Sequence, residues 1–202
     1  MLGMSRLEAV LRTVAADLSR SRAQWALVGG LAVSARAEPR FTRDIDLAVA
    51  VADDRQAERL VNDLVALRYT VVASLEQTAA GRLASVRLAP PGEVASGVVV
   101  DLLFASSGIE PELVARADRL ELLPGLELPV ATVGDLIALK LLARDDARRP
   151  QDAADLVALL AVATRADRER AETAIGEITA RGFQRDRDLA AEWRRWLEGE
   201  SS

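Results

Sequence analysis

The sequence predicts an α/β (α+β) protein in which a mixed β-sheet flanked by helices, over residues 1–130, precedes a C-terminal helical region, 131–202. Three observations carry that expectation. An apolar run, Trp25-Ala26-Leu27-Val28, ends in Gly29-Gly30 and is followed past Pro39 by a second run that alternates with carboxylates, Asp44-Ile45-Asp46-Leu47. A third run, 97–104, is apolar on both faces except for Asp101, as expected of a strand covered on both sides. From about residue 130 the strand pattern gives way to helical periodicity.

Taken in order, Ser5-Arg6-Leu7-Glu8 has capping-box spacing, and Leu7, Val10, Leu11, Val14 and Leu18 form a helical stripe behind it. Residues 24–28 read as a short buried strand, and 31–37 as a short helix that the Gly pair opens and Pro39 ends. Residues 44–51 form the carboxylate strand, and 53–67 an amphipathic helix with Leu60, Leu64 and Leu67 on its apolar side. Strands are expected over 69–74 and 82–88, the second from the alternation of Leu83, Ser85, Val86 and Leu88. Pro90-Pro91-Gly92 marks a turn before the strand at 97–104. A short helix follows over 111–117, then extended pieces between 120 and 130 around Pro124-Gly125. Thr132-Val133-Gly134-Asp135 starts a helix running through 136–143, and Pro150 sits at the first position of another over 151–163. Two more amphipathic helices fill 165–180 and 186–197.

Composition narrows the chemistry. Half of the 202 residues are hydrophobic, yet only three Trp, one Tyr and three Phe are present, so Ala, Val and Leu must build the core. Absence of cysteine excludes disulfides and thiolate metal sites, and absence of histidine excludes Ser-His and Cys-His dyads. Catalysis would have to run on carboxylates, arginines, one lysine and a metal. No apolar run of membrane-spanning length exists, and Met1-Leu2-Gly3-Met4-Ser5-Arg6 does not open a secretory leader, so a cytoplasmic location without membrane association is expected. The net charge of −5 divides into +4 over 1–43, −8 over 44–135 and −1 over 136–202, which argues against stable binding of duplex DNA. Of 26 basic residues only Lys140 is lysine, which singles it out as a candidate for a place where a compact ammonium serves rather than a planar guanidinium.

Side chains on a strand alternate, so Asp44 and Asp46 face the same way, about 6–7 Å apart, while Ile45 and Leu47 face the core. Two carboxylates near a glycine turn suit a divalent cation carrying a nucleotide. Asp101 is either a third member of such a site or a paired structural aspartate, since a lone buried carboxylate is costly. Arg40 could meet a phosphate or brace its loop through Glu38 or Asp44. Lys140 could serve a phosphate or snorkel at a helix edge. Trp193 and Trp196, with Arg194 and Arg195 between them, could stack on bases but fit core packing better.

The stretch from Gly29 to Asp46, with Arg40-Phe41-Thr42-Arg43-Asp44-Ile45-Asp46 at its end, resembles the signature of the DNA polymerase β-like nucleotidyltransferase superfamily. Within it the chain is most similar to the compact AbiEii-type nucleotidyltransferases, many of them toxins of toxin–antitoxin pairs, and the similarity extends over roughly residues 20–160. The resemblance implies Asp44, Asp46 and Asp101 as a catalytic nest for Mg²⁺ or Mn²⁺, with two ions. It implies that Gly29, Gly30, Arg40 and Thr42 bind the nucleotide. It also implies that Lys140 contacts the phosphates and that Asp152 orients it. First-turn helix carboxylates are common, so Asp152 and Asp155 also admit a purely structural reading. Gln151 departs from the pattern, since related sequences often carry a basic residue there. The implied reaction moves a nucleoside monophosphate from an NTP to an acceptor hydroxyl, with an RNA or tRNA 3′ end favoured and an antitoxin as protein partner. A small-molecule (antibiotic) or protein acceptor is the enzymatic alternative. A catalytically silent module that binds nucleotide or a partner is the alternative of another class.

Overall fold

The computed structural model describes residues 5–77, 81–145 and 151–199. In chain order its elements are α1 (Arg6–Arg20), β1 (Gln24–Val28), α2 (Gly29–Arg36), β2 (Asp44–Ala50), α3 (Asp54–Ala66), β3 (Thr70–Gln77), β4 (Arg82–Ala89), β5 (Val99–Leu103), α4 (Glu110–Arg116), β6 (Asp118–Leu123), β7 (Leu126–Val130), α5 (Val133–Ala143), α6 (Gln151–Val162), α7 (Arg165–Ala180) and α8 (Leu189–Gly199). The α/β class is as expected, and β1 has the predicted limits. The helix start expected at Pro150 lies outside the described residues.

The strands form one seven-stranded sheet in the order β3-β4-β5-β2-β1-β7-β6. It is mixed: β2 runs antiparallel to β1 and parallel to β5, and β1 runs parallel to β7. Parallel neighbours need a long crossover, and the chain supplies it between β2 and β5 by passing through α3 and the β3–β4 hairpin at the sheet edge. That detour sets β5 beside β2 although some fifty residues separate them in sequence.

The central strands carry the core. Leu27, Ile45, Leu47 and Leu102 are fully buried, while Asp44, Asp46 and Asp101 stay partly open, so the period-two pattern of the sequence is realised on both β2 and β5. Helices α2 and α4 pack on β1 and β2, and α5 packs against α2, α6, α7 and α8. Burial on several sides explains why α5 is apolar around most of its circumference. Its start follows the sequence: Thr132 Oγ1 accepts from the Asp135 N–H at 3.2 Å and donates to the Asp135 carboxylate at 2.9 Å. The Arg36 guanidinium ties the end of α2 to the carbonyls of Val130 and Ala131 at 2.9 and 3.0 Å.

Some expectations need adjustment. The helix after β1 begins at Gly29 itself, two residues early. Leu67 lies past the end of α3 and is exposed, so the apolar face of α3 is Ala57, Leu60 and Leu64. At the start of α1, Ser5 Oγ accepts from the Glu8 N–H, but the Glu8 carboxylate turns to Arg12 at 3.2 Å, so only half of a capping box forms. The edge strand β3 extends to Gln77.

Candidate active site

The pairing of strands builds the first half of the site. The parallel β2–β5 register sets Asp46 opposite Asp101, and the antiparallel β4–β5 register sets Arg87 opposite Asp101. Val28, the last residue of β1, is opposite Asp46. One row across four strands thus reads Arg87, Asp101, Asp46, Val28, and directly opposed side chains in a sheet stand within about 4.5–5.5 Å at Cβ. Asp44 lies two residues before Asp46 on the same face.

Arg87 dominates the electrostatics of this row. Its Nε donates to Asp101 Oδ1 at 2.8 Å and its Nη2 to Asp101 Oδ2 at 2.6 Å, with Asp44 Oδ2 at 3.8 Å from Nη2. The hydrogen bonds to Asp101, followed by the charges of Asp101, Asp44 and Asp46, outweigh burial and hold the guanidinium protonated more firmly than a free arginine. Nothing in the local sequence of β4 marks Arg87. Its role appears only once β4 is registered against β5.

The Gly pair forms the floor between this row and a second cluster. Gly29 has φ +64°, and a Cβ there would lie 1.9 Å from Asp46 Oδ2, so the carboxylate rests directly on the glycine. A Cβ on Gly30 would lie 2.5 Å from Arg40 Nη2. Each glycine therefore clears space for a different charged side chain at the start of α2.

Arg40 reaches neither Glu38 nor Asp44. Its Nε and Nη2 donate to both oxygens of Asp155 at 2.6 and 2.8 Å, and its backbone N–H donates to Ser34 Oγ of α2. Asp155 also accepts from Lys140 Nζ at 2.7 Å, while Asp152 accepts from the same Nζ at 2.8 Å. Lys140, Asp152 and Asp155 are all buried. Burial pushes the Asp155 carboxyl up, but hydrogen bonds from Arg40 and Lys140 overcome this and hold it below the usual carboxylate range. Lys140 is therefore not a snorkelling side chain. It pins α6 to α5 through two carboxylates, one of which also holds the loop before β2. Asp155, which the sequence left between a functional residue and a first-turn helix carboxylate, belongs to this cluster. The signal that could have found it is the i, i+3 spacing of Asp152 and Asp155, which puts both on one helix face. Thr42 is half-buried on the extended stretch leading into β2.

Asp44, Asp46 and Asp101 offer the hard oxygen donors a divalent cation prefers. As they stand, no group of three among the described residues is gathered closely enough to hold one, and both oxygens of Asp101 are engaged by Arg87. The donor types fit a metal. At the far end, Trp193 is buried in the core, and Trp196 packs against the core with the Arg144 guanidinium 5.4 Å from its ring centroid.

The fold is that of nucleotidyltransferases. It is shared with an antigenic nucleotidyltransferase-like protein from Paracoccidioides brasiliensis at 19% identity and TM-score 0.51, covering 93% of this chain and 92% of that one. It is shared with ANT(2″)-Ia in complex with adenylyl-2″-tobramycin at 14% identity and TM-score 0.55, covering 86% and 97%. The lincomycin-bound lincosamide antibiotic adenylyltransferase LnuA matches at 13% identity and TM-score 0.50, covering 77% and 98%. No curated protein matches the sequence. Residues 11–199 match the family described as nucleotidyl transferase AbiEii toxin of type IV toxin–antitoxin systems, and the chain belongs to that family. It is a nucleotidyltransferase. No described helix is long and apolar enough to cross a membrane.

Proposed function

We propose that this nucleotidyltransferase moves a nucleoside monophosphate from an NTP to the 3′-terminal hydroxyl of an RNA, with tRNA the favoured acceptor, and releases pyrophosphate. The observation that carries this reading is the side-by-side register of Asp46 and Asp101, with Asp44 two residues away and the Gly29 start of α2 against Asp46. Asp44, Asp46 and Asp101 would hold Mg²⁺ or Mn²⁺, as two ions, which when bound would lower the pKa of the attacking hydroxyl and neutralise charge on the leaving group.

The chain's own groups supply the rest. No side chain caps the start of α2 at the Gly pair, which leaves its first backbone N–H groups as donors for a triphosphate, as at other helix N-termini. Arg40 is fixed over Gly30 by Asp155 and by the Phe41 carbonyl, to which its Nη1 donates at 3.3 Å, so the N–H directions left over are preorganised for a phosphate oxygen. Lys140 and Asp152 hold α6 in place behind that arginine, so the helical region 131–202 completes a core of 1–130. Acidic residues dominate 44–135, so contact with RNA is confined to a short terminus, aided by arginines of 6–43 and 144–195. An antitoxin protein is the expected regulator.

The test is incubation with each labelled NTP, Mg²⁺ and total RNA, comparing wild type with Asp46→Asn. Label entering RNA with wild type alone is the expected result, together with growth arrest on expression that Asp44→Ala relieves. Label found on a small molecule or a protein would replace the acceptor. No transfer to any acceptor would leave a nucleotide-binding or partner-binding module.

A further inference from the structure

We propose that Arg87 is a displaceable internal cation: it holds the third carboxylate in the metal-free protein, and a divalent ion takes Asp101 only by evicting it. The inference rests on the reading of Asp44, Asp46 and Asp101 as the metal-binding set, and it concerns a residue outside that set.

Three observations support it. First, the contact is complete. Nε and Nη2 of Arg87 take one lone pair on each of Oδ1 and Oδ2 of Asp101 at 2.8 and 2.6 Å, so an ion ligated by either oxygen would share it with a guanidinium whose charge repels the ion. Second, the guanidinium leans toward the same cluster, with Asp44 Oδ2 at 3.8 Å, where it offsets part of the repulsion among three neighbouring carboxylates. Third, the exposures are unequal. The Asp101 side chain is 13% exposed, whereas those of Arg87 and Asp44 are 43% and 48% exposed. An enclosed carboxylate needs a counter-charge, while a half-exposed arginine on a flexible stem can swing into water without disturbing β4. The register of β4, β5 and β2 holds the competing cation one strand away from the position where the metal would sit.

The exchange is between two cations on one ligand, with no covalent step. In the metal-free protein Arg87 keeps the row assembled. After exchange, Asp101 joins Asp44 and Asp46 on the ion, and Arg87 is left at the rim of the site.

The experiment measures Mn²⁺ binding to the full chain without nucleotide, by electron paramagnetic resonance of free Mn²⁺, alongside thermal unfolding with and without Mn²⁺. Arg87→Met is expected to bind Mn²⁺ about tenfold or more tightly than wild type, because no guanidinium charge then competes for Asp101 and Asp44. It should also unfold at a lower temperature than wild type without Mn²⁺ and recover the difference with Mn²⁺. Arg87→Lys, which keeps the charge but loses the two-pronged contact, should fall between the two and carries the test if Arg87→Met does not fold. Equal or weaker Mn²⁺ binding by these variants would overturn the proposal, as would a stability loss unaffected by Mn²⁺, since a purely structural arginine behaves in that way. Asp46→Asn separates this from the underlying reading. Saturable Mn²⁺ binding that Asp46→Asn abolishes and Arg87 variants do not change refutes the role of Arg87 alone. Absence of saturable Mn²⁺ binding in wild type and every variant refutes the metal-binding set itself, and the inference with it.

Discussion

Replacing Asp155 by asparagine removes one negative charge from a place where two cations converge. The carboxylate is 2% exposed and accepts three hydrogen bonds, from Arg40 at 2.6 and 2.8 Å and from Lys140 at 2.7 Å. An asparagine keeps one acceptor oxygen and presents an amide N–H₂ to a guanidinium or an ammonium. Removing one partner of a buried pair costs about 3–5 kcal/mol. The Arg40 side chain is 29% exposed and can turn partly to water, which puts the expected loss near the lower end, about 3 kcal/mol. For a chain of this size that corresponds to a fall in Tm of about 6–12 °C. Urea unfolding followed by tryptophan fluorescence measures the loss, since Trp193 lies in the core. Pairing the change with Arg40→Leu in a double-mutant cycle should show the two losses to be sub-additive by about 1–2 kcal/mol, because one interaction is counted twice. A loss below about 1 kcal/mol, or full additivity, would refute the claim that Asp155 bridges the loop before β2 to α5.

Two further outcomes are expected. Gly29→Ala should destabilise the fold by about 1–3 kcal/mol and abolish transfer, because φ is +64° and the new Cβ would lie 1.9 Å from Asp46 Oδ2; a wild-type Tm together with wild-type activity would contradict this. The pH dependence follows from the depressed pKa of Asp155: its stabilisation is full above the unfolded value of about 4 and is lost as pH falls through the folded value. Wild type should therefore lose stability below about pH 4, and the gap between it and Asp155→Asn should narrow over the same interval in urea titrations, whereas a constant gap down to pH 2 would speak against the assignment.

Local sequence carried most of the secondary structure. The alternation of Asp44, Ile45, Asp46 and Leu47 is the alternation of half-open and buried positions on β2, and Thr132 caps α5 as its spacing to Asp135 suggests. The lone Asp101 in an apolar strand has a counter-charge, as its cost in isolation argued, and that partner is Arg87. What the sequence withheld depends on register and distant packing. Arg87 looks like any polar residue of an alternating strand until β4 is set against β5. The partner of Arg40 is Asp155 rather than a nearby acid, because α6 packs on α2 and brings that carboxylate within reach of the guanidinium over Gly30. Leu67 kept helical spacing but fell beyond the end of α3, where periodicity no longer determines which side is covered.

The pair between Arg40 and Asp155 closes over 115 positions of sequence, and this has a consequence for timing. During synthesis at about 5–20 residues per second, roughly 6–23 s separate the appearance of the two residues. Until α6 has emerged, Arg40 has no Asp155 and Lys140 has neither carboxylate, so an unfinished chain carries Asp44, Asp46 and Asp101 without the brace that fixes the neighbouring loop. For a member of a toxin family, a brace that waits for α6 would delay the onset of activity until at least 115 positions beyond Arg40 have been synthesised.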